Sequence, residues 1–312
     1  MATRIPTEQE VIGYMTSLSN WGRWGPDDML GTLNLITPQK RAQAARLVKD
    51  GITVSCARPL VPDLAADVTS IPPVHYMTNT GESAPANGAG GAGDFIGMVF
   101  HGLSITHIDT PSHQFWNGKM FNGKPASAVT AQQRATLGGV DLVKDGIITR
   151  GVLLDIAKVK GKDWMEAGEA VLPEDLEAAE KAEGVKVTEG DALLVRMGWF
   201  KRRNQVGAPA AAAGRPGLQA ACLPWLKERG VSIAMADASW DVAPSGYEGI
   251  GVRIPVHTVG IVFMGLWLID AGNCDEVLEV CQRLKRWEFM FVVAPLRWPK
   301  ATGSPINPLA VF

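Results

Sequence analysis

Four short apolar runs limit what this chain can fold into: Gly151–Asp155, Asp191–Met197, Val231–Ala236 and Leu266–Ile269. Each is too short for a buried helix and reads as a strand covered on both faces. Segments with helical start and stop signals lie between and around them. Pro173–Glu183 carries acids in its first turn, where the helix dipole favours them. Leu223–Arg229 is stopped by Gly230, Pro255–Met264 reads as a helix, Cys274–Lys285 as another, and Trp287–Leu296 as the last strand. Upstream, Thr37 caps a helix opened by Pro38 and closed by Gly51, the residue types expected at those positions. Ile52–Leu60 and Asp94–His101 are β-prone. Strands and helices interleave with no linker and no repeat. The expectation is one α/β domain with a mixed sheet over residues 1–312, with residues 1–50 as an N-terminal extension. Gly81–Gly93 has almost no side chain able to pack and reads as a mobile loop,. The tail, 298–312, ends in apolar Leu309, Val311 and Phe312, which favours docking on this domain or on a partner subunit.

Composition removes several function classes. The 312 residues carry 30 Lys+Arg against 32 Asp+Glu, a net charge of −2, without the basic excess of a nucleic-acid binder. With 46% hydrophobic and 20% charged residues, the chain is ordinary for a globular protein. No apolar run reaches the roughly 18 residues of a membrane span; Val256–Ile269 is broken by His257, Gly260 and Gly265. Residues 1–20 include Glu8 and Glu10 and lack the apolar core of a secretory signal. Cys56, Cys222, Cys274 and Cys281 form no CxxC pair and read as free thiols of a cytoplasmic protein. No GxSxG or P-loop is present, and the GxGxxG spelled by Gly88–Gly93 has the wrong context for a nucleotide loop,.

Of the five histidines, His101, His107 and His113 fall within thirteen residues, with Asp109 among them. In an extended segment His107 and Asp109 point to one face. Pro111 then turns the chain, bringing His113 back over the same site. Imidazole and carboxylate together suit Zn²⁺ or Mn²⁺, and a divalent ion lowers the pKa of bound water to roughly 7.

The segment Thr106–His113 resembles the THxDxPxH part of the HxGTHxDxPxH signature of the metal-dependent cyclase / kynurenine formamidase superfamily, which includes isatin hydrolases. Further blocks are similar and collinear: Trp21–Asp28 with Gly31–Asn34, Thr149–Asp155, Asp237–Asp241, Pro255–His257 through Leu268–Asp270, and Gly303–Pro308. The resemblance implies a swivelling β/β/α fold, a homodimer or larger assembly, a site for one or two divalent ions, and hydrolysis of an amide in a small, often cyclic or aryl, molecule. It makes His107 and Asp109 central metal ligands and His113 a ligand or general base. His257 becomes the distant histidine of a second metal position, and Asp270 stands where many members carry Glu. The signature's first histidine falls at Leu103 and its glycine at Ile105. His101 is the nearby substitute.

His113 ends the motif and is the choice for moving the proton. Asp237 or Asp241, after a strand, is expected to orient a ligand histidine. Trp24 and Trp116, with Trp21, Trp199, Trp240 and Trp267, suit the wall of a flat substrate, though each taken alone reads first as core, and Asn34 and Arg253 are candidates to contact its polar groups. The resulting reading is a hydrolase of an amide, lactam or ester bond. Its rivals are a cyclase or dehydratase using the same site and a non-catalytic binding protein. The former is separated by product mass, the latter by metal content.

Overall fold

In the computed structural model, which describes residues 4–62, 65, 67, 71–247 and 252–312, the apolar runs form the centre of a nine-stranded mixed sheet. Apart from two-residue ladders, the strands in chain order are β1 (Thr53–Ser55), β2 (Val74–Asn79), β3 (Gly93–Gly97), β4 (His107–Asp109), β5 (Ile147–Asp155), β6 (Ala192–Arg196), β7 (Ile233–Ala236), β8 (Trp267–Asp270), β9 (Glu288–Val293), β10 (Gly303–Pro305) and β11 (Leu309–Val311). The large sheet runs β1-β11-β9-β5-β6-β7-β8-β4-β10. The four central strands, β5 to β8, are parallel, and every flanking pairing is antiparallel.

The central strands alternate between two cores. Val152, Leu154, Leu193 and Val195 face a cluster containing Leu176, Trp225 and Val262. Leu153, Leu194, Ile233 and Phe289 face one containing Val277, Val280 and Phe312. Both faces are therefore covered, as a parallel sheet requires. The helices that cover them are α1 (Glu8–Ser17), α2 (Pro38–Ala45), α3 (Pro173–Glu183), α4 (Trp199–Val206), α5 (Cys222–Arg229), α6 (Pro255–His257, continuing as the π-helical turn Thr258–Met264) and α7 (Asp275–Leu284). Thr7 and Glu10 form a capping box on α1, a T-x-x-E signal visible in the sequence.

Several boundaries differ from expectation. The helix after Thr37 stops at Ala45. The strand expected over Ile52–Leu60 is only β1, because Arg58 turns inward and is buried and Pro59 has no N–H to extend a ladder. β3 pairs with β2 in a separate hairpin, and the Gly81–Gly93 stretch connects the two. The tail supplies β10 and β11, and Phe312 is fully buried. All four cysteines are free and buried. No helix among the described residues is long and apolar enough to cross a membrane.

Candidate metal centre

Parallel strands gather their carboxyl ends on one edge of a sheet, where open α/β folds place ligand sites. Asp270 ends β8, and Asp237 and Asp241 follow β7. β4 runs antiparallel to β8 and sets His107 opposite Asp270. The loop between β3 and β4 adds His101, the turn after β4 adds His113, and α6 adds His257.

Asp109 is the centre of this group. Its side chain is 1% exposed, and Oδ1 lies 2.9 Å from His101 Nδ1, 3.6 Å from His107 Nε2 and 3.7 Å from His113 Nε2. Oδ2 lies 3.7 Å from His257 Nε2, which is 3.2 Å from Asp270 Oδ2. Neither Asp109 oxygen makes a hydrogen bond, and neither does His101 Nδ1. A buried carboxylate with both oxygens unsatisfied needs a cation or donors to offset its desolvation. His101, Asp109 and His113 offer ligand atoms within 4.8 Å of one another, as do His107, Asp109 and Asp270. Nitrogen and carboxylate donors in this arrangement fit a borderline divalent metal.

The outer nitrogens distinguish the histidines. His107 Nδ1 donates to the Ile105 carbonyl at 2.8 Å. His257 Nδ1 lies 2.5 Å from Asp241 Oδ2, and the same carboxylate accepts the backbone N–H groups of Val256 and His257. His101 Nε2 meets Thr302 Oγ1 at 3.2 Å. Each contact fixes a ring and turns its other nitrogen towards Asp109, the pattern of metal-ligating histidines. His113 has no ring hydrogen bond among the described contacts, and it stacks on His101 at 4.0 Å.

Electrostatics follow the geometry. Burial opposes the charge of Asp109, but His113 and His107 outweigh it and hold the carboxyl well below its usual range. Burial pushes His113 down to about 4, against the pull of Asp109, so it is neutral at pH 7. Burial also opposes the charge of His257, but Asp270 and Asp241 outweigh it and shift this imidazole up. Side-chain exposure is 26% at His101 and 22% at His113, against 3% at His107 and 7% at His257. The cluster is therefore open to solvent on the His101–His113 side.

Other expected site residues fall elsewhere. Asp237 accepts the N–H groups of Met197, Gly198 and Trp199, so it caps α4 and holds no histidine; burial raises it to about 6. Asn34 donates to Asp28 and the Gly31 carbonyl within its own turn. Trp24 stacks under Arg23 beside the Met29–Phe121 cluster, and Trp116 packs on the larger core. No hydrogen bond or ring contact joins them to the histidines among the described residues. Trp240 and Trp267 are fully buried, bonding Ile269 and Leu30 carbonyls. Arg253 is exposed and lines a different cleft with Arg215 and Tyr247. Leu103 lines a small cavity beside Trp199.

The sequence gives no sign of the role of Arg58. Its guanidinium donates to the carbonyls of Leu103, Asp237 and Gly272 at 3.0, 2.5 and 3.2 Å. These belong to the three loops that carry His101, Asp241 and the residues after Asp270. Arg58→Met leaves two buried carbonyls and one part-buried carbonyl without the guanidinium donors, and we expect it to lower stability by about 3–5 kcal/mol. Denaturant midpoints read this loss, and an unchanged midpoint would remove the strut.

The comparisons agree with this architecture. Residues 43–242 match the Cyclase family model. The chain is similar to the crystal structure of a novel cyclase at 31% identity and TM-score 0.85, over 96% of this chain and 99% of that one. Isatin hydrolase A from Labrenzia aggregata, bound to benzyl benzoate, is 21% identical with TM-score 0.60, covering 86% and 94%. Isatin hydrolase A from Ralstonia solanacearum is 18% identical with TM-score 0.57, covering 99% of each chain. At these identities the two isatin hydrolases show a shared fold. No curated protein matches the sequence. The family match over most of the mixed sheet, with a close structural likeness along nearly the whole length, establishes that this chain belongs to the cyclase family.

Proposed function

We propose that this protein is a divalent-cation-dependent hydrolase that opens an amide, lactam or ester bond of a small cyclic or aryl molecule. One observation carries the reading. Four histidines face the unsatisfied oxygens of Asp109; His101, His107 and His257 are anchored through their outer nitrogens, and His113 makes no ring hydrogen bond among the described residues. His101, His107, His257 and Asp270 would hold one or two cations together with Asp109. When bound, Zn²⁺ or Mn²⁺ supplies a Lewis acid for the carbonyl oxygen and acidifies a water.

The rest is the work of the chain. Asp241 keeps His257 in the tautomer whose Nε2 faces the site,. His113, neutral and unanchored, takes a proton from the water that attacks the carbonyl carbon and returns it to the leaving nitrogen or oxygen as the bond between that atom and the carbonyl carbon breaks. The buried walls around Asp109 keep competing water from its oxygens. The fold shared with isatin hydrolases supports a cyclic or aryl substrate, and we propose action as a homodimer on a small molecule. The test is a panel of lactams, aryl formamides and lactones with metal-loaded protein. A product heavier than substrate by one water supports the hydrolase. A product lighter by one water would replace it with a dehydratase or cyclase.

A further inference from the structure

We propose that Thr302, contributed by the C-terminal tail, is a positioning residue that holds His101 as a cation ligand. The inference rests on the proposed metal site and adds a residue to it.

His101 is the least constrained member of the cluster. His107 and Asp109 sit on β4, fixed between β8 and β10. His257 is locked by Asp241. His101 instead lies in the loop after β3, at the base of the β2–β3 hairpin, with its side chain 26% exposed. Holding such a ring in one rotamer costs conformational entropy, so a ligand role needs a partner for the outer nitrogen.

Thr302 supplies it. Its Oγ1 is 3.2 Å from His101 Nε2. With Nε2–H donating to this hydroxyl, Nδ1 carries no proton and faces Asp109 Oδ1, 2.9 Å away. The threonine is itself fixed. Its carbonyl accepts both the backbone N–H of Thr110, at 3.1 Å, and the Thr110 hydroxyl, at 2.9 Å. That ties Thr302 to the residue after Asp109. Gly303 then leaves room for the imidazole: a Cβ there would lie 2.8 Å from His101 Cε1 and 2.4 Å from the Ile108 carbonyl oxygen. The tail thus compensates for Leu103 by making a histidine outside the usual spacing usable.

Thr302→Val removes the hydroxyl and keeps the shape and the backbone carbonyl that serves Thr110. Zn²⁺ affinity of metal-stripped, full-length protein is measured by competition with a colorimetric chelator and repeated with Mn²⁺. T302V is expected to weaken one binding position by about 10- to 100-fold, the usual effect of losing a residue that orients a ligand. Thr302→Ser should retain affinity within about threefold, since the hydroxyl survives. In a His101→Ala background, T302V should add nothing further. Unchanged melting of metal-free T302V confirms that the fold is intact; if it does not fold, T302S against Thr302→Ala makes the same comparison. Wild type that binds cation while T302V binds it equally well overturns the role of Thr302 and leaves the proposed function standing. Wild type that binds neither Zn²⁺ nor Mn²⁺ overturns both.

Discussion

Asp109→Asn is expected to abolish cation binding and to lower kcat/KM by about 10³-fold or more. Among the described residues the carboxylate is shared by both candidate ligand groups, with His101, His107 and His113 on its Oδ1 side and His257 on its Oδ2 side. Asparagine keeps the volume but removes the charge and one acceptor. A metal contributes several kcal/mol of transition-state stabilisation, and about 4 kcal/mol corresponds to about 10³ in rate. Stability gives an independent readout. Cation at 100 times its Kd should stabilise the wild type by about 2.7 kcal/mol and leave the variant's melting unchanged. A variant that still melts higher with added cation would place the ion elsewhere.

His113→Ala is expected to lower kcat by about 10²- to 10⁴-fold, the range for loss of a general acid–base, while the bound metal count stays at the wild-type value. The assignment rests on contrast with its neighbours. His101, His107 and His257 each have an outer nitrogen held by Thr302, Ile105 or Asp241. His113 has no such partner among the described residues, is driven to about 4 by burial, and is partly open to solvent. Elemental analysis of the purified variant beside its turnover separates the two roles. Metal loss together with rate loss would make His113 a ligand and leave the base unassigned.

The legible parts of this protein are those set by local pattern. β5 to β8 were readable because buried parallel strands are nearly continuous apolar runs, and α3 because Pro173, Glu174 and Asp175 mark its first turn. β10 was not, because Gly303 and Pro305 are poor strand residues held there by pairing with β4 across nearly two hundred positions. Pro255–Met264 has helical character in the sequence, but the π-helical hydrogen bonding after His257 has no local signature.

The site divides the same way. The spacing of His101, His107, Asp109 and His113 marks a chemical cluster, and the structure brings the four together. Asp237 and Asp241 look equivalent in sequence, each an aspartate after a strand. Only the fold shows that Asp237 meets the first turn of α4 while Asp241 meets His257. Arg58 and Thr302 gave no signal, because their partners are distant carbonyls and a distant imidazole. The core reading of the tryptophans holds for Trp240 and Trp267, which are fully buried with indole N–H groups bonded to backbone carbonyls.

The central claim is that the cluster around Asp109 is a cation site, and the most direct test is elemental analysis of the purified protein by plasma mass spectrometry. It is read before chelator dialysis, after it, and after reconstitution. The account predicts one or two equivalents of Zn or Mn per chain, lost on dialysis and restored on reconstitution. Reconstituted protein that retains neither metal would contradict it and leave the unsatisfied oxygens of Asp109 to another explanation.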